Sequence, residues 1–411
     1  MYHFVFWIII AIVLAEFILN RVVSYLNSTW FGKPIPKILE GIYDEEKYAK
    51  QQKYSMAQYK FNTVMASVNV AISLAALAIG FYGWVDGALR EVINNNILLS
   101  VSFLVVLNIL SSIIDIPFSY YSTFKIEEDF GFNKSTKKTF WLDQFKELLI
   151  SVVINIVLFG AIVAIYELIP EYFWILAWAV MLSFSLFMSM FYSQLIVPLF
   201  NKQTPLEEGE LRSAIEDFAK KADFKLADIY VMDSSKRSTK ANAYFTGLGP
   251  KKRIVLFDTL IQKLTTEEIV AVLAHEIGHS KRKHIVKTII ISAITSLMMF
   301  ALFGYFVSSE ALSTALGGSE ACFHLGMFAF MLIYSPISLI LGILNHVFSR
   351  KNEFEADAFA AQYGLGEALC SALKKISSEA LSNLQPHPVN VFVNYSHPTL
   401  LQRIEKLTPN L

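Results

Sequence analysis

The chain is poor in cysteine and in charged residues, and it has no net charge. Only two of its 411 residues are cysteine, Cys322 and Cys370, and they form no CxxC pair, which excludes a disulfide framework and a redox dithiol. Lys and Arg together number 35, as do Asp and Glu, so no basic surplus indicates nucleic-acid binding. Charged residues make up only 17% of the chain, and its mean hydropathy is +0.46. This charged fraction and this mean hydropathy are outside the range of ordinary soluble domains, and they predict a membrane protein.

What the sequence does have is seven apolar runs close to the roughly 20 residues that span a bilayer. They lie at 2–20, 63–84, 97–118, 148–169, 173–198, 287–308 and 323–348. If the segments after the first, third, fifth and seventh runs share one side of the membrane, that side holds 34 of the 35 Lys and Arg residues, and the other holds only Arg90. The positive-inside rule then predicts that the basic side is cytoplasmic and that the N-terminus is outside or lumenal.

Several polar residues lie within these apolar runs, and they allow two interpretations. They are Glu16, Asn69, Asn108, Asp115 and Asn155. Such groups either form hydrogen bonds between helices or line a hydrated chamber inside the bundle.

A His-Glu-x-x-His motif precedes the sixth apolar run. Thr265 and Glu268 have the spacing of a capping box, so the motif is predicted to lie on a helix that begins there. On that helix His275 and His279 share a face one turn apart, and Glu276 lies beside them. This is the pattern in which two imidazoles bind zinc and a carboxylate moves the proton of a water molecule.

A catalytic zinc needs a third protein ligand and one open position. The acidic segment RKNEFEADAFAAQYG, residues 350–364, follows the seventh run and offers candidates. Glu353 and Asp357 are four residues apart and share a helix face. Alternatively, Glu353, Glu355 and Asp357 form a solvated acidic surface.

Three short segments predict a small sheet beside the zinc helix. IYVMD (229–233) and RIVLFDTL (253–260) read as strands, and ANAYF (241–245) reads as an edge strand. An extended peptide pairs with such an edge through its backbone, and the Asn242 side chain adds a further hydrogen bond. The alternative for Asn242 is a simple turn residue.

The chain resembles the type 1 CAAX prenyl protease family, integral-membrane zinc metallopeptidases of the gluzincin group. The resemblance rests on DIPFSYYSTFKIEEDFGFNK (115–134), MDSSKRSTKANAYFTGLG (232–249), VLAHEIGHSKRKH (272–284), NEFEADAFA (352–360) and NYSHPTLLQRI (394–404). It implies one zinc per chain held by His275, His279 and Glu353, with Glu276 as general base and acid. It also implies that the block containing Asn242, Ala243 and Tyr244 lines the substrate.

The resemblance gives roles to two further residues. It implies that His397 donates a hydrogen bond to the developing oxyanion. Arg403 is expected to pair with a carboxylate near the zinc, with Asp357 as the candidate, and so to support the ligands from behind. His284, by contrast, is interpreted as a basic residue at the membrane interface.

The predicted architecture is a mainly α, polytopic membrane protein whose seven transmembrane helices enclose a chamber, with a cytoplasmic zincin-like α+β catalytic domain that carries a small sheet. Residues 1–200 would supply membrane helices one to five, 201–286 the catalytic region, 287–348 helices six and seven, and 349–411 the segment that completes the zinc site. We expect a monomer in the endoplasmic reticulum membrane of a eukaryote or the inner membrane of a bacterium.

The predicted function is removal of the C-terminal tripeptide from prenylated CAAX-type proteins, with the lipid bilayer and a prenylated or otherwise membrane-associated peptide as partners and no nucleic acid. Two alternatives remain open at this point. One is a membrane-protein quality-control protease of the heat-shock membrane protease type. The other is a transporter or channel with a structural zinc, which the three ligands and adjacent base do not favour, since structural zinc normally has four protein ligands.

Overall fold

The structure is a computed structural model that describes residues 2–226, 228–246 and 253–408. The last residues of the block 232–249 therefore lie outside the described part of the chain. In chain order the α-helices are α1 (Tyr2–Ser28), α2 (Glu45–Ala78), α3 (Phe81–Arg90), α4 (Asn96–Tyr121), α5 (Lys137–Ile154), α6 (Gly160–Leu168), α7 (Phe173–Leu195), α8 (Glu210–Lys221), α9 (Asp258–Lys263), α10 (Thr266–Lys281), α11 (His284–Phe306), α12 (Glu310–Ala315), α13 (Phe323–Gln362), α14 (Gly366–Glu379), α15 (Pro388–Asn394) and α16 (Leu400–Leu407).

Within the described residues, seven helical spans are long and apolar enough to cross a membrane, as the sequence predicts. They are Phe4–Ser28, Glu45–Ala78, Asn96–Glu127, Lys137–Leu168, Pro170–Leu199, His284–Phe306 and Phe323–Gln362. Two of them contain a π-helical segment, Ser122–Glu127 after α4 and Asn155–Phe159 between α5 and α6.

The predicted limits of the second run, 63–84, are wrong. The helix α2 ends at Ala78, and Gly80 adopts a left-handed conformation with φ of +67°. A continuous helix cannot pass through that backbone geometry, so α3 begins as a separate helix at Phe81.

Most of each apolar helical segment is exposed at the surface of the protein. Only 6% to 17% of each such segment is buried inside the protein. Exposed apolar surface of this kind is what contact with lipid requires, and the enclosed chamber stays a prediction.

Two of the polar residues in the apolar runs form hydrogen bonds between helices. Ser335 of α13 donates to the Glu16 carboxylate of α1 at 2.8 Å. Ser151 of α5 donates to the Asn108 side-chain oxygen of α4 at 2.7 Å. For these two residues the first of the two interpretations holds.

The predicted small sheet is present, and in the described part of the chain it has four strands, β1 (Gln203–Pro205), β2 (Asp228–Met232), β3 (Ala243–Thr246) and β4 (Arg253–Phe257). Their order is β1-β2-β4-β3, with β2 and β4 parallel and the other two pairs antiparallel. The strand β1 was not predicted from the sequence. The strand β3 is at one edge of the sheet, and the buried residues Ile254 and Leu256 of β4 pack in one core with α10.

The last membrane helix is much longer than its apolar run. The helix α13 has 40 residues and continues from the membrane segment to Gln362, past the predicted limit of 348. The acidic segment with Glu353 and Asp357 is therefore an extension of a membrane helix, with both side chains on one face.

Candidate active site

The His-Glu-x-x-His motif lies on α10, which begins where the sequence predicts. The Thr265 hydroxyl accepts a hydrogen bond from the Glu268 backbone N–H at 3.3 Å, and the Glu268 carboxylate accepts one from the Thr265 N–H at 2.9 Å. The buried Glu268 carboxylate also accepts hydrogen bonds from Ser371 and Lys375 of α14. The capping box thus fixes the start of α10 and ties it to α14.

A close approach between α10 and α13 brings the two halves of the site together. Gly278 of α10 faces Ala356 and Phe359 of α13, and a Cβ on Gly278 would lie 3.0 Å from the Phe359 Cβ and 3.1 Å from the Ala356 Cα. A side chain at this position would fit only if the two helices moved apart by a few tenths of an ångström. The glycine inside the motif therefore allows Glu353 to reach the histidines.

Three side chains converge at this contact, His275, His279 and Glu353. The Nε2 atoms of His275 and His279 are 3.1 Å apart, and the Glu353 Oε1 atom lies 3.2 Å from the Nε2 of His279. The other carboxylate oxygen, Glu353 Oε2, is buried and has no hydrogen-bond partner. It lies 3.5 Å from the His275 Nε2.

This donor set fits a metal ion. Two imidazole nitrogens that face each other at 3.1 Å can be satisfied together by a cation between them, and a buried carboxylate oxygen without a partner needs the same. Burial lowers the pKa of His275, but the hydrogen bond with Asp357 and the nearby Glu353 carboxylate outweigh it and raise this pKa to about 9. The surroundings of the imidazole therefore favour positive charge.

A buried ion pair lies directly behind His275. The His275 Nδ1 atom is 2.8 Å from the Asp357 Oδ1 atom, and Asp357 is only 2% exposed. The Arg403 guanidinium of α16 donates to both oxygens of Asp357, at 2.9 and 2.5 Å. Burial lowers the pKa of Arg403, but its hydrogen bonds to Asp357, with the nearby charges of Glu353 and Glu276, give a net increase. The carboxylate that we expected Arg403 to pair with is thus Asp357.

The structure places the remaining predicted site residues around this cluster. Glu276 is half-buried beside His275 on α10. His397 lies in the exposed turn before α16, with its Nε2 atom 3.4 Å from the Glu353 Oε1 atom and its Nδ1 atom 3.0 Å from the Ser396 hydroxyl. The His397 side chain is therefore close to the three candidate ligands.

The edge strand exposes only some of its backbone for pairing. The Phe257 N–H donates to the Asn242 carbonyl, so the backbone of Asn242 and, two residues on, of Tyr244 is directed towards β4. The backbone of Ala243 and of Phe245 is then directed to the free edge. The Asn242 side chain accepts a hydrogen bond from the Ala243 N–H at 2.9 Å.

The Tyr244 side chain points to the membrane helices. Its hydroxyl lies 3.1 Å from the Ser193 hydroxyl of α7 and accepts a hydrogen bond from Gln203 of β1 at 3.3 Å. Among the three predicted substrate-binding residues, Ala243 is therefore the one whose backbone is placed for strand addition.

The structure gives the loop at 127–133, within the block 115–134, a position that the residues alone did not indicate. The Glu127 carboxylate accepts hydrogen bonds from Tyr54 and Lys240, both at 2.6 Å. The Phe132 carbonyl accepts one from the Thr239 N–H at 3.1 Å. This loop therefore holds the segment that leads into β3.

The interpretation of His284 as a basic interface residue is wrong. Its side chain is buried, with 3% exposure, and contacts both His279 and Glu355. The only signal in the sequence is its position five residues after His279, at the start of the next helix.

Comparisons with known proteins place the chain among similar sequences and structures. Residues 24–202 match the family described as CAAX prenyl protease N-terminal, five membrane helices, and residues 205–410 match peptidase family M48. A CAAX prenyl protease 1 homolog of Arabidopsis thaliana is 37% identical over 91% of this chain and 90% of that relative. CAAX prenyl protease 1 of Saccharomyces cerevisiae is 34% identical over 93% of this chain and 91% of its own length. The crystal structure of S. mikatae Ste24p superposes with a TM-score of 0.92 at 33% identity and covers 98% of both chains.

Proposed function

Because the chain belongs to peptidase family M48 and is a multi-pass integral-membrane metalloprotease, we propose that it uses zinc to remove the C-terminal tripeptide from prenylated CAAX-type proteins. The observation that carries the zinc proposal is the buried convergence of two imidazole nitrogens and an unpartnered carboxylate oxygen, next to Glu276. The names of the relatives at 34% and 37% identity support the substrate class.

Three side chains, His275, His279 and Glu353, would hold the zinc. At such a donor set the ion supplies Lewis-acid activation of a water molecule and of the scissile carbonyl. One coordination position then remains for water or substrate, as a catalytic site requires.

The remaining chemistry belongs to residues of the chain. The Glu276 carboxylate takes a proton from the attacking water and returns it to the departing amine. The His397 imidazole, exposed at the rim of the site, donates a hydrogen bond to the developing oxyanion. The free edge of β3 orients the peptide through the Ala243 backbone, and the Asn242 side chain leaves its contact with the Ala243 N–H to bind the peptide.

We also propose how the protein lies in its membrane. The distribution of Lys and Arg supports a cytoplasmic location for the sheet, α10 and the end of α13, with the N-terminus outside or lumenal. In a eukaryote the membrane would be that of the endoplasmic reticulum, and in a bacterium the inner membrane. We expect a monomer, because His275, His279 and Glu353 can complete the proposed site without a second chain.

Of the two alternatives, the enzyme class sets aside the transporter. A quality-control protease of the heat-shock type is less well supported than a prenyl protease, because the N-terminal family match and the two relatives named above carry the CAAX prenyl protease description.

The test is hydrolysis of a farnesylated and an unfarnesylated CAAX peptide by purified protein, with zinc content measured in parallel. We expect one zinc per chain, tripeptide release from the farnesylated peptide, and a weaker reaction without the lipid. The Glu276→Gln variant should retain zinc, and its hydrolysis rate should fall by about 10²- to 10⁴-fold, the usual range for a general base. Cleavage of both peptides at equal rates would contradict the prenyl preference, and an active Glu276→Gln variant would contradict the mechanism.

A further inference from the structure

A second histidine lies directly behind the proposed ligand His279. The Nδ1 atoms of His279 and His284 are 3.0 Å apart, and the rings meet edge to face with centroids 5.1 Å apart. The Nε2 atom of His284 lies 3.1 Å from the Glu355 Oε2 atom of α13. Glu355, His284 and His279 thus form a continuous series of hydrogen-bond contacts that ends at the proposed zinc site.

The hydrogen-bond donors in this series of contacts can be assigned from Glu355 to His279. The ionised Glu355 carboxylate can only accept a hydrogen bond, so the His284 Nε2 atom carries a hydrogen and donates this hydrogen bond. A neutral His284 then presents a lone pair at its Nδ1 atom. That lone pair accepts from the His279 Nδ1–H, which leaves the His279 Nε2 atom as a lone pair directed at Glu353 and His275. This is the tautomer of His279 that binds a metal through Nε2.

The same logic holds at His275, with a different partner. There the Nδ1–H donates directly to Asp357, which Arg403 neutralises in a buried pair. His279 has no carboxylate of its own at its Nδ1 atom, and the partner there is an imidazole. The two proposed ligand histidines are therefore held by two separate supports, one on α13 and α16 and one on α11 and α13.

The local backbone explains how His284 reaches this position. Lys283 adopts a left-handed conformation with φ of +56° between α10 and α11, so the chain turns sharply after the motif helix. The first residue of α11 is then directed back towards α10. The five-residue spacing from His279 to His284 is thus a consequence of the turn, not of one helix face.

We propose that His284, oriented by Glu355, is a positioning residue that fixes the tautomer and ring orientation of His279 for metal binding. This inference rests on the proposed zinc site. Partners of this kind typically contribute 10- to 100-fold to metal affinity.

The test uses three substitutions of His284 in the full-length protein, purified in detergent. An Asn side chain places its amide oxygen close to the position of the His Nδ1 atom, whereas a Gln side chain reaches the position of Nε2. His284→Asn should therefore accept from His279 and lose Glu355, and His284→Gln should do the reverse. His284→Leu removes both contacts and keeps the volume.

The readout is the zinc dissociation constant, measured by competition with a chromophoric chelator, with the Tm of each metal-free variant as the measure of folding. We expect His284→Leu and His284→Gln to bind zinc about 10- to 100-fold more weakly than the wild type. His284→Asn should stay within a few-fold of the wild type. At the outer end, Glu355→Leu should weaken binding and Glu355→Gln, which keeps an acceptor, should do so less. The exposed Glu367 gives the control, because Glu367→Leu removes a surface charge that takes no part in these contacts.

The outcomes separate this inference from the proposed function. If the wild type binds no zinc, the proposed zinc site itself fails. If the wild type binds zinc and His284→Leu binds it equally well, the positioning role of His284 is overturned. If Asn, Gln and Leu all weaken binding to the same extent and lower the Tm in parallel, His284 contributes packing only and the inference is overturned as well.

Discussion

Single residues behind the proposed ligands hold the site in place, and Arg403 is the clearest case. Its guanidinium meets both oxygens of Asp357, and Asp357 in turn meets the His275 imidazole. The planar guanidinium of an arginine can donate to both oxygens of a carboxylate at once, which a lysine ammonium group cannot do with the same geometry. The pair is buried, so a mismatch there is not relieved by water.

We predict that Arg403→Lys weakens zinc binding by about tenfold, the lower end of what supporting contacts contribute. The Lys ammonium keeps the charge but cannot bridge both oxygens of Asp357, so His275 loses its fixed acceptor. The measurement is the zinc dissociation constant. Arg212→Lys is the matched control, because Arg212 forms a surface pair with Glu216 at 3.0 Å, where a change of donor geometry has little effect. Equal effects of the two substitutions would contradict the prediction.

Two elements, α10 and α13, make the site by their close approach at Gly278. Gly278→Ala should improve helix propensity by about 1 kcal/mol if α10 were isolated. In the protein we predict the opposite, a lower Tm and weaker zinc binding, because the new methyl group would lie 3.0 Å from the Phe359 Cβ and push the helices apart.

The control for this prediction is a glycine in α13 with open space around it. A Cβ at Gly342 would have no atom within 4 Å, so Gly342→Ala should leave the Tm unchanged or raise it. A Gly278→Ala variant with full zinc affinity would show that the contact is not as close as described.

The start of α10 makes the stability of the protein dependent on pH. Burial raises the pKa of Glu268, but hydrogen bonds from Lys375, Ser371 and the Thr265 N–H outweigh it and lower this pKa below its usual value. A carboxyl whose pKa is lower in the folded state stabilises the fold above its unfolded pKa, about 4.3, and this contribution is lost as the pH falls through the folded pKa.

We therefore predict that Glu268→Gln lowers the free energy of unfolding by about 1.5–3 kcal/mol at neutral pH, the range for hydrogen bonds to a charged group. The difference should shrink as the pH falls below the unfolded pKa of about 4.3, and it should vanish once the pH passes below the lowered pKa of the folded state. Chemical denaturation of the metal-free proteins across this pH range is the measurement. A constant difference at all pH values would show that the charge of Glu268 does not contribute.

Short sequence patterns, such as capping residues and apolar runs, predicted the helices and strands well. They could not predict contacts between elements that are distant in the sequence. The Thr265–Glu268 spacing located the start of α10, and the apolar runs located the seven spans. The role of Gly278 was hidden, because a glycine within a motif does not reveal which helix approaches it. His284 and Lys240 were hidden for the same reason, since their partners Glu355 and Glu127 lie 71 and 113 residues away. The limit of α2 at Gly80 was missed because the apolar run continues through it.

At the scale of the whole molecule, the distribution of basic residues leads to a prediction about orientation. In vesicles with the cytoplasmic face outward, a cysteine introduced as Glu207→Cys should react with a membrane-impermeant maleimide. A cysteine introduced as Asn94→Cys, near Arg90, should react only after detergent is added. The unsubstituted chain gives the background, because Cys370 is buried and Cys322 half-buried. The reverse pattern of labelling would place the proposed active site outside.

The unbroken length of α13 has a consequence for where the protein works. With 40 residues at about 1.5 Å each, the helix is about 60 Å long, roughly twice the thickness of a bilayer core. Glu353 is therefore attached to the membrane by one continuous helix, with Pro336 inside it, and its height above the lipid surface depends on how far that helix is immersed. A thicker or more ordered bilayer would immerse more of α13 or change its tilt. The lipid composition of the host membrane thus becomes a variable that sets the distance between the proposed zinc site and a substrate whose own anchor lies in the same lipid.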